Sequence, residues 1–127
     1  MSGVTDLEEL IRSMRPEARE GEFVIVTSEA IELPAEAVIR EDEGTTLVLR
    51  REDADDAGIP YDFVAAWITL TVHSSLAAVG LTAAFSTALA DAGISCNVLA
   101  GFHHDHLLVP ADRRDDALEV LAALTEQ

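Results

Sequence analysis

The residues best equipped for chemistry fall within one run, from His73 to His106. His103, His104, Asp105 and His106 form the string HHDH, and imidazole and carboxylate side chains of this kind suit zinc, copper or nickel. Neighbouring strand residues point to opposite faces, so at most two of the four can readily converge on one ion. His73 is the only other histidine, and no Cys-x-x-Cys or HExxH pattern completes a site. HHDH is therefore expected to be a polar hairpin turn, with no metal and no other cofactor. Ser74 and Ser75 follow His73, but sequence neighbours on a strand end do not make a triad. Cys96 lies in an apolar stretch, the place of a small core residue rather than an activated thiolate. The carboxylates fall mostly in turns and at helix starts, without the apolar surroundings that tune a general acid. No Walker or dinucleotide glycine pattern is present. The chain is not expected to be an enzyme.

Binding has more support. The loop His73-Ser74-Ser75-Leu76-Ala77-Ala78-Val79-Gly80 leads into a helix start, where unpaired backbone N–H groups and the positive dipole end can hold a carboxylate. Gly80 carries no side chain to block a close approach. Ser74, Ser75 and Thr82 add hydroxyls, and Asn97 on the next strand offers both a donor and an acceptor. In the alternative reading, Ser74 or Ser75 simply caps the helix and Gly80 packs against a strand.

These residues need a scaffold, and the pattern from Trp67 to Pro110 describes one. Ile68, Leu70 and Val72 alternate with Trp67, Thr69 and Thr71, the period of a strand with two distinct faces. Leu81, Phe85, Ala88, Leu89 and Ala92 then recur at helical spacing. Gly93 is placed to end that helix in a left-handed conformation. Ile94 to Phe102 and Leu107 to Val109 read as strands on either side of HHDH.

Upstream, Leu7, Leu10, Ile11 and Met14 predict a helix capped by Thr5 or Asp6, with Pro16 and Gly21 punctuating its exit. Phe23–Thr27, Ala37–Arg40 and Thr45–Arg50 read as strands, the last two joined by a turn over Glu41–Gly44. Glu52 to Gly58 is an acidic connector with room for one helical turn, and Pro60 ends it. Downstream, Asp112 is expected to cap a last helix whose apolar face is Ala117, Leu118, Leu121, Ala122 and Leu124. Arg113 and Arg114 fall in its first turn, against the helix dipole; contact with the acidic N-terminal half and a neutral surface accident are both open.

Composition narrows the function classes. A length of 127 residues suits one full core or two small modules, and 49% hydrophobic residues is ordinary for a globular protein. The net charge is −16, with eight arginines and no lysine. Such a charge repels phosphate backbones and anionic lipid, so neither nucleic acid nor a membrane surface is an expected partner. No apolar run is long enough to span a bilayer, and the acidic N-terminus lacks the pattern of a secretory signal. One cysteine cannot form an intramolecular disulfide, and a cytoplasmic location is expected.

The run GLTAAF at Gly80–Phe85, continuing to LADAGIS at Leu89–Ser95, resembles the ACT domain, a regulatory module that commonly binds amino acids. The fuller string HSSLAAVGLTAAFSTALADAGISCNV, followed by HHDHLLVP, is closer still to the small stand-alone tandem-ACT proteins of microbes. Residues 61–124 carry the likeness most fully, and Ile39 to Leu49 (IREDEGTTLVL) carry it less fully. The loop from His73 to Val79 is longer than the family's short turn and lacks proline.

The resemblance implies an α+β, ferredoxin-like (βαββαβ) ACT architecture with antiparallel sheets. It would be divided into an incomplete half at residues 1–60 and an ACT domain lacking its last strand at 61–127. Two such halves are expected to complete each other. The implied function is an amino-acid-binding regulatory or sensor protein that forms a homodimer; the alternative is an interaction module that binds no ligand. The ligand-binding set it implies is His73, Ser74, Ser75, Val79, Gly80, Leu81, Thr82, Cys96 and Asn97. For the His-Asp-His corner it implies structural or ligand-proximal work.

Overall fold

The computed structural model describes residues 6–29, 32–72 and 79–126. They divide into two compact units: one runs from Glu20 to Ala65, and the other joins the chain up to Arg19 with the chain from Ala66 onward.

The first unit is built from β2 (Phe23–Thr27), β3 (Ala35–Glu41), β4 (Gly44–Arg50), the short helix α2 (Arg51–Asp56) and the first residues of β5 (Val64–Thr71). Strand β4 lies between β3 and β2 and is antiparallel to both. Strand β2 continues antiparallel to β5 through Phe23↔Ala65 and Val24↔Val64. The expected hairpin turn is present, with Glu41 paired to Gly44 across it. Val24, Val26, Leu47 and Leu49 form the core with Ala54 of α2, so the connector expected to hold one helical turn contributes a buried residue.

The second unit follows the order β5, α3 (Leu81–Asp91), β6 (Asn97–Ala100), β7 (Asp105–Pro110) and α4 (Arg114–Thr125). It also contains α1 (Leu7–Ser13) and β1 (Arg15–Ala18). Its strands lie in the order β1-β5-β7-β6. The place beside β5 that a fourth strand would take in a βαββαβ fold is filled by β1, antiparallel, from Arg15↔Thr71 to Ala18↔Ile68. Nothing local predicts a strand at Arg-Pro-Glu-Ala. Proline is tolerated there because β1 hydrogen-bonds to a neighbour on one side only.

Alternation along β5 divides the sheet of this unit into two faces. Ile68, Leu70 and Val72 join Leu107 and Val109 of β7 in a core closed by Leu10 and Met14, by Leu81, Phe85 and Leu89, and by Ala117 and Leu121. All three helices therefore contribute to one apolar layer. Asp6 caps α1, its Oδ1 accepting from the Glu9 N–H at 3.1 Å. Helix α3 ends as its sequence predicts: Gly93 has φ +73. The Gly93 N–H then reaches the Ala90 carbonyl, and the Ile94 N–H reaches that of Leu89, each at 2.9 Å.

Three expectations change here. Asp112 does not cap the last helix: it lies inside a 3-10 turn over Ala111–Arg113, and Arg113 holds the cap position of α4 without a side-chain bond. Ile94 is occupied in closing α3 and Phe102 sits in the turn, so the strand expected over Ile94–Phe102 shortens to β6. The HHDH string is only half turn: Ala100 pairs with Asp105 and Leu99 with His106, which makes Asp105 and His106 the first residues of β7.

Candidate functional site

The start of α3 is the feature most suited to hold an anion. Gly80 occupies the cap position with φ +104, and as a glycine it supplies no side-chain cap to the first-turn N–H groups. The first intrahelical bond runs from the Ala84 N–H to the Gly80 carbonyl at 2.9 Å, leaving the N–H groups of the preceding turn without a helical partner. Acidic residues stand in the first turn of α1 (Glu8, Glu9), α2 (Glu52, Asp53) and α4 (Asp115, Asp116), whereas α3 has none. In a chain with 24 Asp and Glu residues, α3 alone of these helices carries no acidic residue in its first turn to complement its dipole.

The residues expected to bind a ligand do not all share this place. Val79 is 84% exposed and Thr82 is exposed beside it, whereas Leu81 turns into the core. His73, Ser74 and Ser75 lie outside the described residues. Cys96 and Val98 pack against the helix-side core, so Asn97 between them faces the other side of the sheet, in register with Leu108. Of Cys96 and Asn97, it is Cys96 that faces the layer containing α3. Burial pushes the Cys96 thiol up to about 11, which favours the protonated form at neutral pH. Gly80 also has a packing role: a Cβ there would lie 3.0 Å from Leu7 Cδ2 of α1.

A second constellation occupies the face of β5 opposite the helices. Trp67 is buried, and its indole Nε1–H lies 3.2 Å from Thr69 Oγ1 and 3.3 Å from His106 Nδ1. Thr69 Oγ1 and His106 Nδ1 are themselves 3.0 Å apart. The Trp67 and His106 rings are tilted against each other with centroids 5.3 Å apart, and the Arg19 guanidinium lies 4.1 Å over the indole. Sequence reading placed Trp67 and Thr69 in a strand and His106 in a turn, without connecting them. A buried tryptophan must find an acceptor for its N–H, and the threonine two residues on shares its face; that was the available signal.

Among the described residues, no three His, Cys, Asp or Glu side chains are placed to hold a metal ion. No helix among them is long and apolar enough to cross a membrane. A cleft of about 320 Å³ in the Glu20–Ala65 unit is lined by Gly21, Glu22, Arg50, Arg51, Glu52 and Asp55. There Arg51 bonds to Glu22 and to the Tyr61 hydroxyl, which in turn donates to Asp55, each at 2.8 Å.

Comparison with known proteins places these features in a family. No curated protein matches the chain. A Vibrio cholerae protein of unknown function, described as a possible transport protein, is 45% identical, with a TM-score of 0.86 over 94% of this chain and 95% of that one. A protein from Agrobacterium tumefaciens is 23% identical, with a TM-score of 0.64 over 88% of this chain and 89% of that one. The ligand-free regulatory subunit of aspartate kinase from Thermus thermophilus shares 10% identity and a TM-score of 0.63 over 86% of this chain and 95% of its own, a likeness of fold. Two ACT domain family models match in tandem, over residues 2–66 and 63–123, and the chain belongs to the ACT domain family.

Proposed function

We propose that this protein is a cytoplasmic, homodimeric regulator of the ACT type, with no catalytic activity, whose ligand is an amino acid held by its carboxylate at the start of α3. The observation that carries this reading is the first turn of α3 without an acidic residue, beside the acid-bearing first turns of the other α-helices. A ligand carboxylate there would supply the missing negative charge, and each backbone N–H it engages makes a charge-assisted bond. Thr82 adds a hydroxyl at the second helical position, and His73, Ser74 and Ser75 of the preceding loop are proposed to complete the site.

The contact between Gly80 and Leu7 favours a second reading, in which the glycine serves helix packing and the protein is an interaction module. A thermal-shift panel of the twenty amino acids separates the two, because a ligand that binds the native state raises stability by mass action. At a hundredfold excess over Kd the gain is about 2.7 kcal/mol. One or a few amino acids should raise Tm by several degrees. A flat panel would leave the interaction module, and sedimentation showing only monomer at tens of micromolar would remove the dimer.

A further inference from the structure

We propose that His106 is a pH-sensitive latch that ties the β6–β7 hairpin to β5 through Trp67 and Thr69, and releases it when the imidazole takes up a second proton. An indole N–H can only donate. The indole N–H is directed at both Thr69 Oγ1, at 3.2 Å, and His106 Nδ1, at 3.3 Å; in the proposed latch the neutral ring carries its proton on Nε2 and offers Nδ1 as an acceptor. In that tautomer the Thr69 hydroxyl, 3.0 Å from the same Nδ1, donates to it while accepting from the indole at 3.2 Å. A proton on Nδ1 would set N–H against N–H and reverse the Thr69 hydroxyl.

The far side of the ring is equally constrained. A Cβ on Gly101 would lie 3.0 Å from His106 Nε2 and 2.7 Å from the His104 carbonyl oxygen, so only glycine allows the hairpin backbone to come this close. The Gly101 N–H donates to that carbonyl at 2.9 Å and closes the turn that carries exposed Phe102. The imidazole is thus held between β5 and the hairpin it steadies.

The charges facing it act in both directions. Arg19, over the Trp67 ring, and His104 in the turn oppose a second positive charge, whereas Asp105 favours one. Glu17 of β1 stands opposite Thr69 in register, and the β6 neighbour is the apolar Leu99. Burial is the largest influence, followed by Arg19, and together they hold His106 below the ordinary histidine value. The unfolded chain then takes the proton more readily than the folded one. The latch contributes fully above the ordinary value of about 6.5 and is lost as pH falls from there through the lowered folded value.

Trp67 is the only tryptophan, so intrinsic fluorescence reports on the latch without any ligand. Emission titrated from pH 8 to pH 4.5 should show a one-proton transition with a midpoint below about 6.5, while far-ultraviolet circular dichroism stays constant. His106→Gln should abolish the transition. Arg19→Gln, which removes an opposing charge, should move its midpoint upward and serves as the informative variant if His106→Gln does not fold. Amide exchange at Gly101, corrected for its intrinsic pH dependence, should quicken over the same range in the wild type. A transition that persists in His106→Gln, one unmoved or lowered by Arg19→Gln, Gly101 exchange that stays constant, or loss of the circular dichroism signal at the same pH would each overturn the latch.

Discussion

Leu7 of α1 closes over Gly80 at the start of α3, so that the Cβ of any other residue there would stand 3.0 Å from its Cδ2 methyl. Two costs would then fall on one substitution: an unfavourable φ of +104 and a contact with Leu7. Gly80→Ala should destabilise the fold by about 1–3 kcal/mol, and Gly80→Val by more. Leu7→Ala should recover the contact part of the Gly80→Ala loss but not the backbone part. A double-mutant cycle in urea measures the two separately, and additive losses would show that Leu7 does not constrain this position.

Arg113 should stabilise a helix other than its own. Its guanidinium reaches the Ala92 carbonyl at 3.2 Å and the Gly93 carbonyl at 3.5 Å, at the negative end of the α3 dipole, while Nε meets Asp116 at 2.9 Å. Arg113→Ala should cost about 1 kcal/mol, a value reduced from that of a buried charged bond by the exposure of the group. Asp116→Ala should cost less, because it loses an exposed pair and one of two acidic first-turn charges of α4 but leaves the bonds of Arg113 to the end of α3 in place. Chemical denaturation gives both values, and equal losses would place the benefit in the ion pair instead of the helix end.

The Cys96 thiol should be slow to react. With its titration pushed up to about 11 by burial, about one molecule in a thousand carries the thiolate at pH 8. Labelling by a disulfide reagent at that pH should lag far behind free cysteine and accelerate sharply in urea. Labelling of the folded protein at the rate of a free thiol would show that the thiol is not desolvated.

Salt should stabilise the protein. With a net charge of −16, screening at 0.1 M already shortens the reach of repulsion to about 10 Å. Tm should rise between low salt and molar sodium chloride. An unchanged or falling Tm would mean that the surface charges are compensated locally.

Several elements could be read directly from the sequence because their signals are local. The apolar spacing around Leu10, the buried run Phe23–Thr27 and the Leu89–Ile94 corner closing on Gly93 need no distant partner to be recognised. Strand β1 is different: Arg-Pro-Glu-Ala has no intrinsic strand preference, and pairing with β5, distant in sequence and in register from Arg15↔Thr71 to Ala18↔Ile68, decides its state. The same distinction separates the candidate sites. The glycine and hydroxyls at the start of α3 follow from neighbouring residues, whereas His106 meets Trp67 across 39 positions of sequence. Arg113, which sequence reading left open between the acidic N-terminal half and an idle surface role, finds its partners at the end of α3 for the same reason.

The most direct test of ligand binding at α3 uses charge at the helix start. Thr82 is exposed at the second helical position, so Thr82→Asp should place a carboxylate where the proposed ligand's carboxylate would lie. By complementing the dipole it should also leave the fold as stable as before, or more so by about 0.3–1 kcal/mol. Calorimetric titration of wild type and Thr82→Asp with the amino acids that raise Tm should find binding in the first and none in the second, with Tm of the unliganded variant not lowered. Full-affinity binding by a folded Thr82→Asp variant would contradict the account.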